Sequence, residues 1–299
     1  MTIRKKLLLI FTLFLIAASF GMLRFIQNYR ENAKAPENKV TLQKSPKVQP
    51  DVAANKGITA EFLKADQNLN QTGAVIAFTF DDGYLSDYQL AYPVLKQYGI
   101  HGTSYIIPKY QDENKPNTLT WDQIKEMLQY GWVFGCHTYS HSDLTKMTAE
   151  EISESMEMVD ASFARQGLEP PAIHAFPYGR YNQDVIQAIA PYRIQMRKAY
   201  YESKFVDLNN VNPYEIDSCS ADMRTEKRLK LHESLVDKAS AQNGVIVFRC
   251  HGLYREKVDD MGAWPVQTDS KLFEELVAYC VEKGCKFITM TELIEMYSD

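Results

Sequence analysis

The feature that most constrains the fold is a repeated pairing, beyond residue 70, of a short apolar run with an amphipathic stretch. Mostly apolar runs stand at 74–80, 102–107, 133–136, 172–176, 244–250 and 286–289. Between them, helical patterns occupy 87–98 (apolar at Leu90, Val94 and Leu95), 120–129, 148–165, 184–190, 226–241 and 271–282, and a last helix closes the chain. Thr120 with Gln123, and Thr148 with Glu151, are capping boxes that fix two of the helix starts. Strands apolar on both faces belong to a parallel sheet, and the intervening helices supply its outer cover. About seven such β/α units predict a closed, distorted barrel. In barrels of this kind chemistry gathers at the C-terminal strand ends. Asp81, Asp82, His137, Tyr178 and His251 all fall just past a predicted strand end.

The 299 residues carry 33 Lys and Arg against 38 Asp and Glu, a formal charge of −5 without a long basic block. That balance excludes nucleic acid as a partner. At the N-terminus Arg4, Lys5 and Lys6 precede an uncharged, mostly apolar run over 7–23. Its length is at the short end of the roughly 17–25 residues that span a bilayer. The basic flank keeps the N-terminus cytoplasmic and exports the rest of the chain. Residues 1–26 are therefore expected to form a single-pass cell-membrane anchor with an extracellular catalytic domain. The rival is a cleaved secretory signal, with 7–16 as its apolar core and Ala17, Ala18 and Ser19 near the cut. The apolar run continues past those small residues, which favours the anchor. Residues 27–57, rich in Asn, Lys, Glu, Pro and Gln, read as a flexible linker, and 58–299 as the catalytic domain. Of the five cysteines, Cys136 and Cys250 each precede a histidine of interest and are expected to pack on the opposite face as small hydrophobes.

Two residue groups carry chemistry. Asp81 and Asp82 close one apolar run, and His137 and His141, four residues apart, follow another. Either pair alone is a weak signal. Together they supply three metal ligands and one spare carboxylate, the inventory of a hydrolytic zinc site with an open position for water. Cobalt, nickel or iron(II) would also fit a partly filled His₂Asp shell.

With these residues in place, the stretch 73–297 resembles a polysaccharide deacetylase of carbohydrate esterase family four, the group sharing the NodB homology domain. Thr79-Phe80-Asp81-Asp82-Gly83 resembles the family's first motif, which implies Asp81 as catalytic base and Asp82 as metal ligand. His137-Thr138-Tyr139-Ser140-His141 resembles the second and implies that both histidines complete the metal site. Phe176-Pro177-Tyr178-Gly179 is similar to the third, whose aromatic backbone N–H holds the oxyanion. Val247-Phe248-Arg249-Cys250-His251 resembles the fifth, ending in the general-acid histidine.

Two departures stand out. Most members carry an arginine two residues before the third-motif proline, to hold the catalytic aspartate; here that place is Ala175. Arg249, two residues from His251 and on the same strand face, is read as its substitute or else as a barrel-edge ion pair. The fourth motif, an Asp-Trp segment, is not recognisable, and Asp217 is the candidate partner that would raise the pKa of His251. Trp264, soon after His251, is read as a substrate-groove floor or a packing residue, and His101, His174 and His232 as structural. The resemblance implies removal of acetyl groups from N-acetylglucosamine-type residues of an extracellular or cell-wall polysaccharide. The alternatives are an O-acetyl (xylan-type) esterase on the same scaffold and an inactive carbohydrate-binding homologue.

Overall fold

The structure, a computed structural model, describes residues 73–199, 205–255 and 267–297. The expected anchor (1–26), the linker (27–57) and Trp264 lie outside the described residues. Among the described residues, no helix is long and apolar enough to cross a membrane.

Strand β1 (Val75–Asp82) is buried over nearly its whole length. One wide turn (Asp87–Ala91) leads into α1 (Tyr92–Gln97), where a single helix over 87–98 was predicted. Pro93 is the reason: it has no N–H to continue the ladder, and the preceding turn closes instead from Tyr92 N–H to the Asp87 carbonyl. β2 (Thr103–Ile106) and the short α2 (Pro108–Asp112) precede α3 (Trp121–Tyr130). The predicted capping box, Thr120 with Gln123, opens α3, and Gly131 at φ 106° ends it. β3 (Val133–Cys136) follows, and α4 (Ala149–Arg165) opens on the second predicted box. Then come β4 (Ile173–Ala175), α5 (Gln183–Ile189), β5 (Gln195–Arg197) and β6 (Cys219–Ser220). The chain continues through α6 (Glu226–Gln242), β7 (Val245–Cys250), β8 (Gly252–Tyr254), β9 (Gln267–Asp269), α7 (Ser270–Glu282), β10 (Lys286–Phe287) and α8 (Met290–Tyr297).

The main sheet is parallel, in the order β5-β4-β3-β2-β1-β7-β6, with β10 pairing the first residues of β1. Alternation along its strands makes two cores. Ala77, Tyr105, Ile173, Ala175, Ile216, Val245 and Val247 pack together on one face, with Met290 and Leu293 of α8. On the other, Ile76, Phe78, Phe80 and Phe248 pack under the helices with Leu95, Trp132 and Phe273. Each of these aromatics, fully removed from water, contributes roughly 1.5–3 kcal/mol.

The sheet curls, and among the described residues its two edges meet only through irregular backbone. Arg197 bridges to Ile216, Met196 N–H donates to the Pro213 carbonyl (2.8 Å), and Lys198 N–H donates to the Ile216 carbonyl (3.0 Å). The segment ahead of β6 holds Asn209, Asn210, Asn212 and Pro213, turn formers that deny it a full ladder. The expected closed (β/α)₇ barrel is thus present as a curled parallel sheet with a loosely bridged seam. β8 and β9, a small parallel pair, had no counterpart in the sequence reading.

Candidate metal centre and catalytic site

A regular strand would send Asp81 and Asp82 to opposite faces. Asp82 escapes this by leaving β1 at φ 74°. Thr138 (63°), His141 (60°) and Tyr178 (59°) are also left-handed. The other non-glycine residues at positive φ among the described residues are Asn114, Asn117 and Asn243, a type that tolerates the region. Asp and His tolerate it too, so the costly cases, each of order 1–3 kcal/mol, are Thr138 and Tyr178, both within the predicted motifs.

These turns bring three predicted ligands together. Asp82 Oδ1 lies 3.5 Å from His137 Nε2 and 3.3 Å from His141 Nε2. One ligand atom from each residue falls within 4.8 Å of the others. Asp82 Oδ1 is buried and faces only the two imidazole nitrogens, without a well-formed hydrogen bond. A buried carboxylate oxygen facing two imidazole nitrogens is a donor set that fits a divalent cation. The His137 Nδ1 lies 2.7 Å from the Ala175 carbonyl, which can only accept, so Nδ1 carries the proton and Nε2 faces Asp82. Burial pushes the His137 imidazole down to about 4 against the pull of Asp81 and Asp82, which leaves it neutral and able to ligate.

Asp81 points to a different partner from the expected one. Its buried carboxylate is bonded by the Arg197 guanidinium, and both side chains are almost fully out of water. Arg197 also donates to Ser218 Oγ (3.0 Å), and its guanidinium lies 4.9 Å from the Tyr105 ring centre. Burial raises the Asp81 pKa, but the Arg197 charge, helped by His137, His251 and Arg249, holds it well below the carboxylate range. Arg249 therefore contributes a smaller, longer-range charge, and the guanidinium that bonds Asp81 is that of Arg197. Arg197 is invisible to motif reading because it sits on a three-residue strand that lacks an apolar run.

His251 likewise has a partner other than Asp217. Asp222 accepts from the His251 backbone N–H (3.0 Å) and lies 3.0 Å from its Nδ1. Burial lowers the His251 pKa, yet the bond and charge of Asp222 outweigh it and raise the imidazole above its ordinary value. Asp217 pairs with Lys198 instead (3.3 Å), because it precedes β6 whereas Asp222 follows it, beside the end of β7. No spacing signal singled out Asp222.

Tyr178 is exposed, on a short turn (Pro177–Gly179), with its ring 4.5 Å from that of His141. His174 and His232 are buried, as expected of structural residues. All five cysteines are free thiols, and Cys136 and Cys250 pack in the helix-side core.

Residues 68–196 match the family model described as polysaccharide deacetylase. YxkH of Bacillus subtilis (strain 168), assigned by its name to the polysaccharide deacetylases, is 35% identical over 138 residues, which is 45% of this chain and 47% of that protein. A chitin deacetylase of Arthroderma benhamiae is 33% identical over 135 residues, 43% of this chain and 34% of its own. The chain thus spans about a third to a half of the length of these relatives. In fold, it is similar to the chitin deacetylase of Colletotrichum lindemuthianum (TM-score 0.55, 18% identity, covering 76% of this chain and 88% of that one). Residues 68–196 are thus similar in sequence to the polysaccharide deacetylase family, and the fold is similar to that of a chitin deacetylase.

Proposed function

We propose that the protein is a metal-dependent hydrolase that removes acetyl groups from an extracellular or cell-wall polysaccharide, and that its preferred target is the N-acetyl group of glucosamine-type residues. The observation that carries this reading is the convergence of Asp82, His137 and His141 beside an ionised Asp81 and an Asp222-paired His251. A divalent ion there, zinc by default and cobalt, nickel or iron(II) as alternatives, would polarise the acetyl carbonyl and acidify a water. Asp81, held ionised by Arg197, takes the proton from the attacking water. The Tyr178 backbone N–H is assigned to the developing oxyanion, where one such donor is typically worth about 10²–10³ in rate. His251, protonated through Asp222, delivers a proton to the leaving nitrogen.

An amine is a poor leaving group, so a histidine held protonated suits N-deacetylation more than ester cleavage. A poly-β-1,6-N-acetyl-D-glucosamine N-deacetylase of Staphylococcus aureus (strain MRSA252), 30% identical over 122 residues, supports the same preference. A second reading, O-acetyl esterase activity on xylan, is favoured by a bifunctional xylanase/deacetylase of Pseudobutyrivibrio xylanivorans. That protein is 24% identical across 76% of this chain. The N-terminal segment is assigned to membrane anchoring or export, and Trp264 to the substrate groove.

The test is acetate release by the full chain from N-acetylglucosamine oligomers and from acetylated xylan, with and without chelator. Chelator-sensitive release that Asp81→Asn abolishes supports the proposal, and the better substrate separates amidase from esterase. A metal-loaded protein that releases no acetate from either overturns it in favour of a binding module.

A further inference from the structure

We infer that the Tyr178 side chain is a positioning residue for His141 and sets the metal affinity of the site, an inference that rests on the metal-dependent reading above. The two ligand histidines are held in different ways. The His137 side chain is 3% exposed and is fixed by a backbone carbonyl; that of His141 is 17% exposed, on a left-handed residue beyond β3. Its Nδ1 lies 3.1 Å from the Tyr178 hydroxyl oxygen. The same hydroxyl donates to the His141 carbonyl at 3.3 Å.

Both contacts are hydrogen bonds at once in a single proton arrangement. A phenol has one O–H. With that hydrogen committed to the carbonyl, the oxygen is left to accept from Nδ1–H. His141 is then the Nδ1–H tautomer, with the Nε2 lone pair directed at Asp82. One hydroxyl thus holds the tautomer, the ring plane and the left-handed backbone of this ligand together.

Tyr178 is itself braced. Its ring meets His141 edge to face (4.5 Å, 63°), and the Arg180 guanidinium lies 5.7 Å from its centre on the way to Asp143, which it contacts at 2.6 Å. Asp143 in turn accepts from the Thr145 backbone N–H (3.2 Å) and hydroxyl (2.6 Å), so the brace is anchored in the loop that carries His141. An exposed tyrosine beside a metal site invites the reading of a sugar-stacking platform, but stacking has no use for the hydroxyl.

Tyr178→Phe keeps the ring, its contact with His141 and the Arg180 brace, and deletes both hydrogen bonds. Partners of this kind typically govern metal affinity by about 10–100-fold. Zinc affinity is measured on the full chain by competition with a chromophoric chelator, and the urea midpoint of the metal-free protein serves as the fold control. The expected result is a dissociation constant weakened about tenfold or more at an unchanged midpoint. A Tyr178→Phe constant within twofold of the unaltered protein overturns the inference and leaves Tyr178 a stacking surface. If the unaltered protein itself fails to bind zinc, cobalt, nickel or iron(II), the metal reading falls and takes this one with it.

Discussion

Arg197→Met replaces the guanidinium that bonds Asp81, the proposed base, by an apolar chain of similar reach, and the burial around it has two consequences. The Arg197 and Asp81 side chains are 1% and 5% exposed, so removal of the arginine leaves a desolvated carboxylate without its main counter-charge. Breaking a buried pair in this way typically costs about 3–5 kcal/mol. Loss of the Ser218 bond and of the contact with the Tyr105 ring adds to this. In the parent protein the depressed Asp81 pKa contributes stability that is present above the ordinary carboxylate range and lost as pH falls through the folded value. In the variant the sign reverses. Burial then dominates, the folded pKa lies above the unfolded one, and stability rises as pH falls and Asp81 protonates. The base is also lost earlier on acidification, so the acid limb of kcat/KM moves to higher pH.

The assay is urea unfolding at pH 7 without metal, together with a pH profile at saturating metal. Asp81→Asn/Arg197→Met, which has no buried charge to strand, should recover part of the lost stability. Arg249→Met should move the acid limb less than Arg197→Met. An Arg197→Met protein within about 1 kcal/mol of the parent, with its acid limb in place, would refute this account of the base.

Asp222→Asn removes the bond and charge that raise His251, so burial should lower its pKa and draw the basic limb of the profile to lower pH, while Asp217→Asn leaves that limb unmoved. The raised pKa also contributes stability that is whole below about 6.5 and lost as pH rises through the folded value, a loss that Asp222→Asn should abolish. His232 is buried against Phe248 with neither ring nitrogen hydrogen-bonded, and burial, ahead of repulsion from Arg228, pushes it down to about 4. Its unfolded form binds a proton first, so stability should decline between about pH 6.5 and 4 at up to about 1.4 kcal/mol per unit, and His232→Leu should flatten that decline in urea titrations. Zinc at a hundred times its dissociation constant should add about 2.7 kcal/mol of stability. A chelator should remove that gain, and Asp82→Asn should show no zinc-dependent change in thermal midpoint.

What the sequence discloses at this site is what lies within a few residues of chain. Asp81 and Asp82, and His137 and His141, sit in short segments whose side-chain types already state their chemistry. The strand starting at 133 and both capping boxes are equally local and lie where expected. Arg197 and Asp222 act through partners 116 and 29 residues away, brought close only by strand pairing. β5 (Gln-Met-Arg) and β6 (Cys-Ser) offer no apolar run, because their buried polar side chains face partners instead of lipid-like core. Pro93, by contrast, was legible as a break in the helix expected over 87–98.

The register places a second position beside Arg197. Ala175, where a family arginine would stand, is the direct partner of Arg197 across the β4–β5 ladder, and both are fully buried. Paired residues on neighbouring parallel strands share a face, with strands about 4.8 Å apart. A guanidinium from either position therefore has access to the same carboxylate, provided the other position is small. Ala175→Arg alone should overpack the interior and cost about 1–3 kcal/mol. Ala175→Arg with Arg197→Ala exchanges the volumes and returns a cation beside Asp81. The exchange should restore at least tenfold of the kcat/KM lost in Arg197→Ala, with the acid limb back toward its original pH. An exchanged protein that folds but gains nothing over Arg197→Ala would show that Asp81 requires the approach from β5 and its Ser218 anchor, and not merely a positive charge in that space.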